Sequence, residues 1–393
     1  MTTACSPPAV ELWTDVTGLA PVVELYNASQ QERIVELVYE PSIQTELRLA
    51  EHPPDIVISS YIEDERSSAL FQPLDGILNR RLDRASFYAD LLASGRRNNR
   101  QLFLPLTFHL PLIYYAEQIV RSDTGPIIAP EEMIARADGF NRGTGTRWTH
   151  LAYSPLWNSE FLYQYVRAVG VDFLESPTGA PTWDEQALTS ALEGASTWIT
   201  EANGSLALDR EFVERYLYAP ELPLVREGRI AYGFETSERY FSIADARRRN
   251  LQFRWLGHED RIPVLENVTY AGVPQGAANV PGANDFLEFL FSEENQILLI
   301  EDALRKEIDT FGLAGGFSSL WKVTERHFER YYPELTGRIP SDAMLRFPPP
   351  SPRHWGSLKR EIVIPRLTAE VNQRPQSRSL RGQIDAWLLQ QEE

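Results

Sequence analysis

The chain has 393 residues, 38 Lys and Arg against 55 Asp and Glu, a formal net charge of −17 at pH 7, and a single cysteine. One core rarely grows beyond about 250–300 residues, so more than one folded unit is expected. The acidic balance, with no basic run longer than Arg247–Arg249, argues against nucleic acid as a partner, and Cys5 alone excludes an internal disulfide framework or a cysteine metal site.

Val10–Trp13 alternates apolar and polar residues and predicts a short strand, with Thr14–Leu19 turning out of it. Val22, Val23, Leu25 and Tyr26 predict a helix over 20–33, IVELVYEP (34–41) has the period of a second strand, and SIQTELRLAEH fits a second helix. Asp55–Ser60 is a third strand. Strand, helix, strand, helix, strand at this spacing is the pattern of a parallel sheet with helical crossovers, which binds ligands beyond the carboxyl ends of its strands. Trp13 and Asp15 end the first strand, while Ser59, Ser60 and Tyr61 end the third, so the two tips are expected to face one crevice.

After a turn at Phe71–Asp75, the apolar run 101–119 carries prolines at 105 and 111. Neither one helix nor one strand accommodates both, so two strands meeting at a bend are predicted, with Pro111 as a boundary between units. Helical spacing recurs at 161–170 and at 183–204, the latter with Thr182 as the expected N-cap. RIAYGFETSERYF (229–241) reads as a strand with a polar tip at Glu235–Ser237, and 263–274 as another strand region. Residues 284–304 predict one amphipathic helix, followed by a helix near 357–371 and a short one over 383–391. No stretch reaches the roughly 18 apolar residues of a membrane-spanning helix.

Seven segments, taken in order, resemble a known family: VELWTD, PPDIVISS, FQPLDGIL, LPLTFHLPLIYYAEQI, APTWDEQALTSAL, GRIAYGFETSERY and AGVPQGAANVPGANDFLEFLFSEENQ. Together they are similar to the extracellular solute-binding proteins of ABC transporters, in particular the sugar-binding family that includes maltose-binding protein. Tyr115 stands where the family usually has Asn, and Asn279–Asn284 replaces its Ser-Lys-Asn, which leaves the ligand open among sugars, polyols, polyamines and other polar solutes. The resemblance implies an α/β, two-lobed periplasmic-binding-protein fold of type-II-like form, with a ligand cleft between the lobes that closes by a hinge. It divides the chain into a tether (1–8), lobe 1 (9–110 with 266–308) and lobe 2 (112–262 with 312–393). It further implies a monomeric receptor that delivers a small carbohydrate to an ABC permease, with no cofactor and no metal. Thr-Thr-Ala-Cys before Ser-Pro-Pro looks like the tail of a lipoprotein cleavage site, with Thr2 in the usual aliphatic position. Lipidation of Cys5 would then anchor the protein on the periplasmic or extracellular face of a membrane.

Sugars ask for planar carboxylate, amide or guanidinium groups and an aromatic platform. By place in the family, at a strand end, in the apolar crossing or after a glycine-rich bend, the candidates are Trp13, Asp15, Ser59, Ser60, Tyr61, His109, Trp157, Asn158, Glu235, Thr236 and Trp321. Each has a structural alternative. Trp13 and Trp321 can be packing residues, His109 a hydrogen-bonded hinge residue, and the two serines a helix cap with Tyr61 packed beside them. Glu63, Asp64 and Glu65 read as a solvated first helical turn. Carboxylates with tryptophans also describe glycoside hydrolases, but nothing in the sequence sets a carboxyl pair at the required spacing. No nucleophile elbow, zinc-protease motif or phosphate loop is present. A non-enzymatic receptor is therefore expected, with a surface adhesin or sensor partner as the rival.

Overall fold

A computed structural model describes residues 9–60, 62, 68–119, 125–144, 147–176, 179–218 and 220–391. Cys5 and the tether, Tyr61, Glu63, Asp64 and Glu65 lie outside the described residues. The chain divides into two compact units. The first comprises Met1–His109, Leu265–Asp342 and Phe347–Arg353; the second comprises Leu110–Val264, Ala343–Arg346 and His354–Glu393.

The principal elements run β1 (Val10–Thr14), α1 (Ala20–Ser29), β2 (Val35–Tyr39), α2 (Ile43–Leu49), β3 (Ile56–Ser60), β4 (Leu104–Phe108), β5 (Pro111–Ala116), β6 (Ile127–Ile128), α3 (Ser159–Ala168), α4 (Glu221–Arg226), β7 (Gly233–Thr236), α5 (Ser237–Phe241), β8 (Leu251–Leu256), β9 (Thr269–Gly272), α6 (Val280–Leu290), α7 (Glu293–Arg305) and β10 (Phe317–Ser318).

The first unit is built on a six-stranded sheet of order β10-β4-β9-β3-β1-β2. β1 runs parallel to both β2 and β3, and β9 runs antiparallel to β3 and β4. Ile56, Val57 and Ile58 are wholly buried, as a central strand covered on both faces requires. β1 alternates instead: Val10, Leu12 and Thr14 are buried, Glu11 is exposed and Trp13 lies between. Asp55, just before β3, is buried and accepts backbone N–H groups from Glu11 (3.0 Å) and Asn279 (2.6 Å), tying the strand starts to the entry of α6. Tyr26 of α1 meets Phe286 of α6 edge-on at 5.0 Å.

Three local expectations are corrected. The helix expected over 284–304 is two, α6 and α7, because Ser292 accepts the Asn295 N–H and starts a new N-terminus. Asp184, not Thr182, caps the helix Glu185–Thr197. The strand expected over 229–241 shortens to β7, since the Thr236 side chain caps α5.

Residues 312–342, assigned from sequence to the second lobe, cluster with the first unit. β10 pairs with β4, and Phe317 stacks on Phe108 at 5.6 Å while meeting Phe328 at 5.2 Å and Phe311 at 5.0 Å. This aromatic packing holds the segment against the first sheet.

The second unit carries a four-stranded sheet of order β7-β5-β8-β6, in which β5 runs antiparallel to both neighbours. Gly233 has no side chain because the Tyr114 ring occupies that space: a Cβ there would sit 2.2 Å from Tyr114 Cζ. Around the sheet, Tyr153, Phe161, Trp198 and Phe234 form a buried aromatic cluster.

Candidate functional site

Strand directions place one end of each sheet at the polar positions. In the first unit, the pairings Ser60 with Thr269, Thr269 with Thr107, and Phe108 with Phe317 put the ends of β3 and β4 beside the starts of β9 and β10. β1 ends on the same edge, since Thr14 pairs with Ile58 and its hydroxyl donates to the Ile58 carbonyl at 2.6 Å. Asp15, Ser59, Ser60, Thr107 and His109 therefore share one edge of one sheet.

Asp15 is half-buried and accepts the Ser59 hydroxyl through Oδ2 at 2.8 Å. Burial pushes its carboxyl above the usual carboxylate range, and the Ser59 hydroxyl and nearby amides pull it partly back. Its second oxygen, Oδ1, is buried with no hydrogen-bond partner among the described residues. His109 is 5% exposed, and burial drives its imidazole down to about 4, so the ring is neutral near pH 7. Its Nδ1 and the Thr107 hydroxyl also lack partners among the described residues. Gly316 lets the backbone of the β10 turn approach this histidine, since a Cβ there would stand 2.9 Å from His109 Cε1.

Two tryptophans of this unit are held by local partners. Trp13 donates from its indole to Glu11 at 2.6 Å, on the exposed side of β1. Trp321 donates to the Ala85 carbonyl at 2.8 Å, with the Arg326 guanidinium 5.0 Å from its ring centroid.

In the second unit, Thr236 at the end of β7 pairs with Pro111 at the start of β5, and Ser237 exchanges hydrogen bonds with the Leu110 backbone at 2.8 and 3.0 Å. Glu235 is half-buried there; burial raises its carboxyl, and Arg239, 3.3 Å away, pulls it partly back. The Thr236 hydroxyl accepts the Arg239 N–H. Asn158 uses its side-chain oxygen to cap α3, accepting from Glu160 and Phe161 at 3.0 and 3.3 Å. Trp157 stacks on Phe212 at 5.3 Å and 11°, with Tyr153 edge-on at the same distance.

No family model and no curated protein matches this sequence. Solved structures do match. The cyclic alpha-maltosyl-1,6-maltose binding protein from Arthrobacter globiformis superposes with a TM-score of 0.66 at 15% identity, covering 97% of both chains. Maltose-bound T. maritima MalE3 gives 0.65 at 14% identity, covering 97% of this chain and 99% of that one. The ABC substrate-binding protein Lmo0181 from Listeria monocytogenes, in complex with cycloalternan, gives 0.65 at 12%, covering 96% and 97%.

The chain has the MalE-like fold.

All three of these neighbours are binding proteins. Within the MalE-like fold, the sequence candidates separate into two groups. Asp15, Ser59, Ser60 and His109 come together on the first unit's edge, and Glu235 and Thr236 end the second unit's β7. Trp13, Trp321, Trp157 and Asn158 are each engaged by partners in their own unit. Among the described residues, no helix is long and apolar enough to cross a membrane, and no group of three or more His, Cys, Asp or Glu side chains is arranged for a metal ion.

Sequence reasoning missed two members of the second edge, Glu221 and Tyr153. Glu221 accepts the Phe234 N–H at 2.9 Å and the Tyr153 hydroxyl at 3.4 Å. An acidic residue after a proline reads as an ordinary first helical turn, so no local signal marks it.

Proposed function

We propose that the protein is the substrate-binding receptor of an ABC importer, which captures a small carbohydrate and passes it to a membrane permease. The Asp15 carboxylate carries this reading. It is partly desolvated, oriented by Ser59, and keeps one buried oxygen unmatched, an arrangement suited to a ligand hydroxyl. The fold supports it, since the structural neighbours bind maltose-type and cyclic sugars. Ser60, Tyr61, His109, Glu235 and Thr236 complete the proposed contacts, with Trp13, Trp157, Asn158 and Trp321 as further candidates. Periplasmic or extracellular residence, monomeric state and lipidation of Cys5 belong to the same proposal.

The test is titration calorimetry and thermal shift with maltose, mannobiose, cyclic glucans, polyols and polyamines. A sugar at 100 times its Kd adds about 2.7 kcal/mol to stability. Replacing Asp15 by Asn should weaken that sugar about tenfold, because a charged acceptor becomes a neutral one. Binding of a polyamine in place of any sugar would overturn the ligand class.

A further inference from the structure

Glu221 begins α4 directly after Pro220, yet both its oxygens reach outside the helix. Oε2 accepts the Phe234 N–H of β7 at 2.9 Å, and Oε1 accepts the Tyr153 hydroxyl at 3.4 Å. Phe234 is the residue before Glu235, and Thr236 closes the strand and caps α5. One carboxylate thus fixes the backbone at the point where β7 delivers its polar tip. The groups facing it are Tyr153, Tyr114 of β5 and Glu235 of β7; no cation stands at ion-pair distance among the described residues. Arg239, a counter-charge on this edge, is engaged with Glu235.

We propose that Glu221 is a positioning residue: its ionised carboxylate holds the Phe234–Thr236 strand end, and protonation releases that end and weakens ligand binding at Glu235. The binding half rests on the carbohydrate-receptor reading above; the strand-positioning half does not. A carboxylate offers lone pairs on both oxygens, matching two donors at once. A neutral carboxyl carries an O–H on one of them, so one of the two donors loses its acceptor. Burial first, and then the charge of Glu235, push the Glu221 carboxyl up to about 7, while the Phe234 N–H and Tyr153 hydroxyl hold it back. The exchange therefore falls in the physiological range.

Backbone amide signals of the ligand-free full chain, followed by NMR from pH 5 to 9, test the positioning half. The Phe234, Glu235 and Thr236 amides should titrate together with a midpoint near neutrality in the wild type and lose that transition in Glu221→Gln, which keeps the shape and one acceptor. Tyr153→Phe, which deletes one of the two donors, should move the midpoint upward. Amides that ignore pH in the wild type, or titrate unchanged in Glu221→Gln, overturn the proposal. Maltose titrations then test the second half. Affinity should fall about fivefold from pH 8 to pH 5.5 in the wild type, the loss of about one net hydrogen bond, and stay level in Glu221→Gln. Equal slopes in both proteins overturn the binding half. A titrating strand end in a chain that ignores maltose and every other sugar sinks the receptor reading and leaves the positioning role standing.

Discussion

The two sheet edges meet the same physical problem with opposite chemistry. On the first, burial pushes the Asp15 carboxyl up but acts most strongly on a base, and His109 is driven down to about 4. In the second unit, burial acts on acids: Asp209 is pushed up to about 6 and Glu221 to about 7. Desolvation disfavours the charged form in every case. The consequences for stability therefore run in opposite directions along the pH scale.

For His109, the unfolded chain takes a proton near the ordinary 6.5 while the folded ring resists it to about 4. Stability is lost as pH falls through that window. For Glu221, the folded carboxyl keeps its proton up to about 7, against 4.5 in the ordinary case. That contribution is fully present below about 4.5 and is lost as pH rises through 7. Asp209, which accepts a hydrogen bond from Asn203 at 3.0 Å, follows the same sign from 3.8 to about 6.

The largest break in the comparison comes from steric pressure. Gly233→Ala would place a methyl 2.2 Å from the buried Tyr114 ring, and should cost about 3 kcal/mol in urea unfolding. Gly316→Ala in the first unit meets its nearest atoms at 2.9 Å and should cost nearer 1 kcal/mol. Equal penalties would mean that the two edges are packed with equal tightness.

Next come the two titrations. His109→Gln should remove about 3 kcal/mol of acid destabilisation between pH 6.5 and 4, read from denaturation midpoints across pH. Glu221→Gln should flatten a decline of similar size between pH 4.5 and 7. If both variants flattened the same limb of the profile, the opposition between the edges would fail. The smallest effect belongs to Arg239→Ala. That side chain is 74% exposed, so its pair with Glu235 should be worth under about 0.5 kcal/mol, while the Glu235 carboxyl titrates at a higher pH without it.

Much of the local structure was legible in the chain. Val10–Trp13 and Asp55–Ser60 read as strands because their residues alternate or cluster with a short apolar period, and β1 and β3 lie there. The bend at Pro111 read correctly as a break, with β4 and β5 on either side. Asp15 and Ser59 read as strand-end polar residues, but nothing in either segment says that they bond to each other, 44 positions apart. The split between α6 and α7 is not legible in the sequence, because the amphipathic period continues across Ser292 and one side-chain acceptor decides the boundary.

Periodicity, proline positions and terminal polar residues suffice to determine where strands, turns and the first parallel crossovers form, because those depend on neighbours along the chain. Which unit receives residues 312–342, and which carboxylate steadies β7, depends on neighbours in space. Phe317 finds Phe108 from 209 positions away by number, and Glu221 finds Phe234 across a turn. Packing and desolvation act through such distant pairs, so only the tertiary structure sets the ionisation of His109 and Glu221.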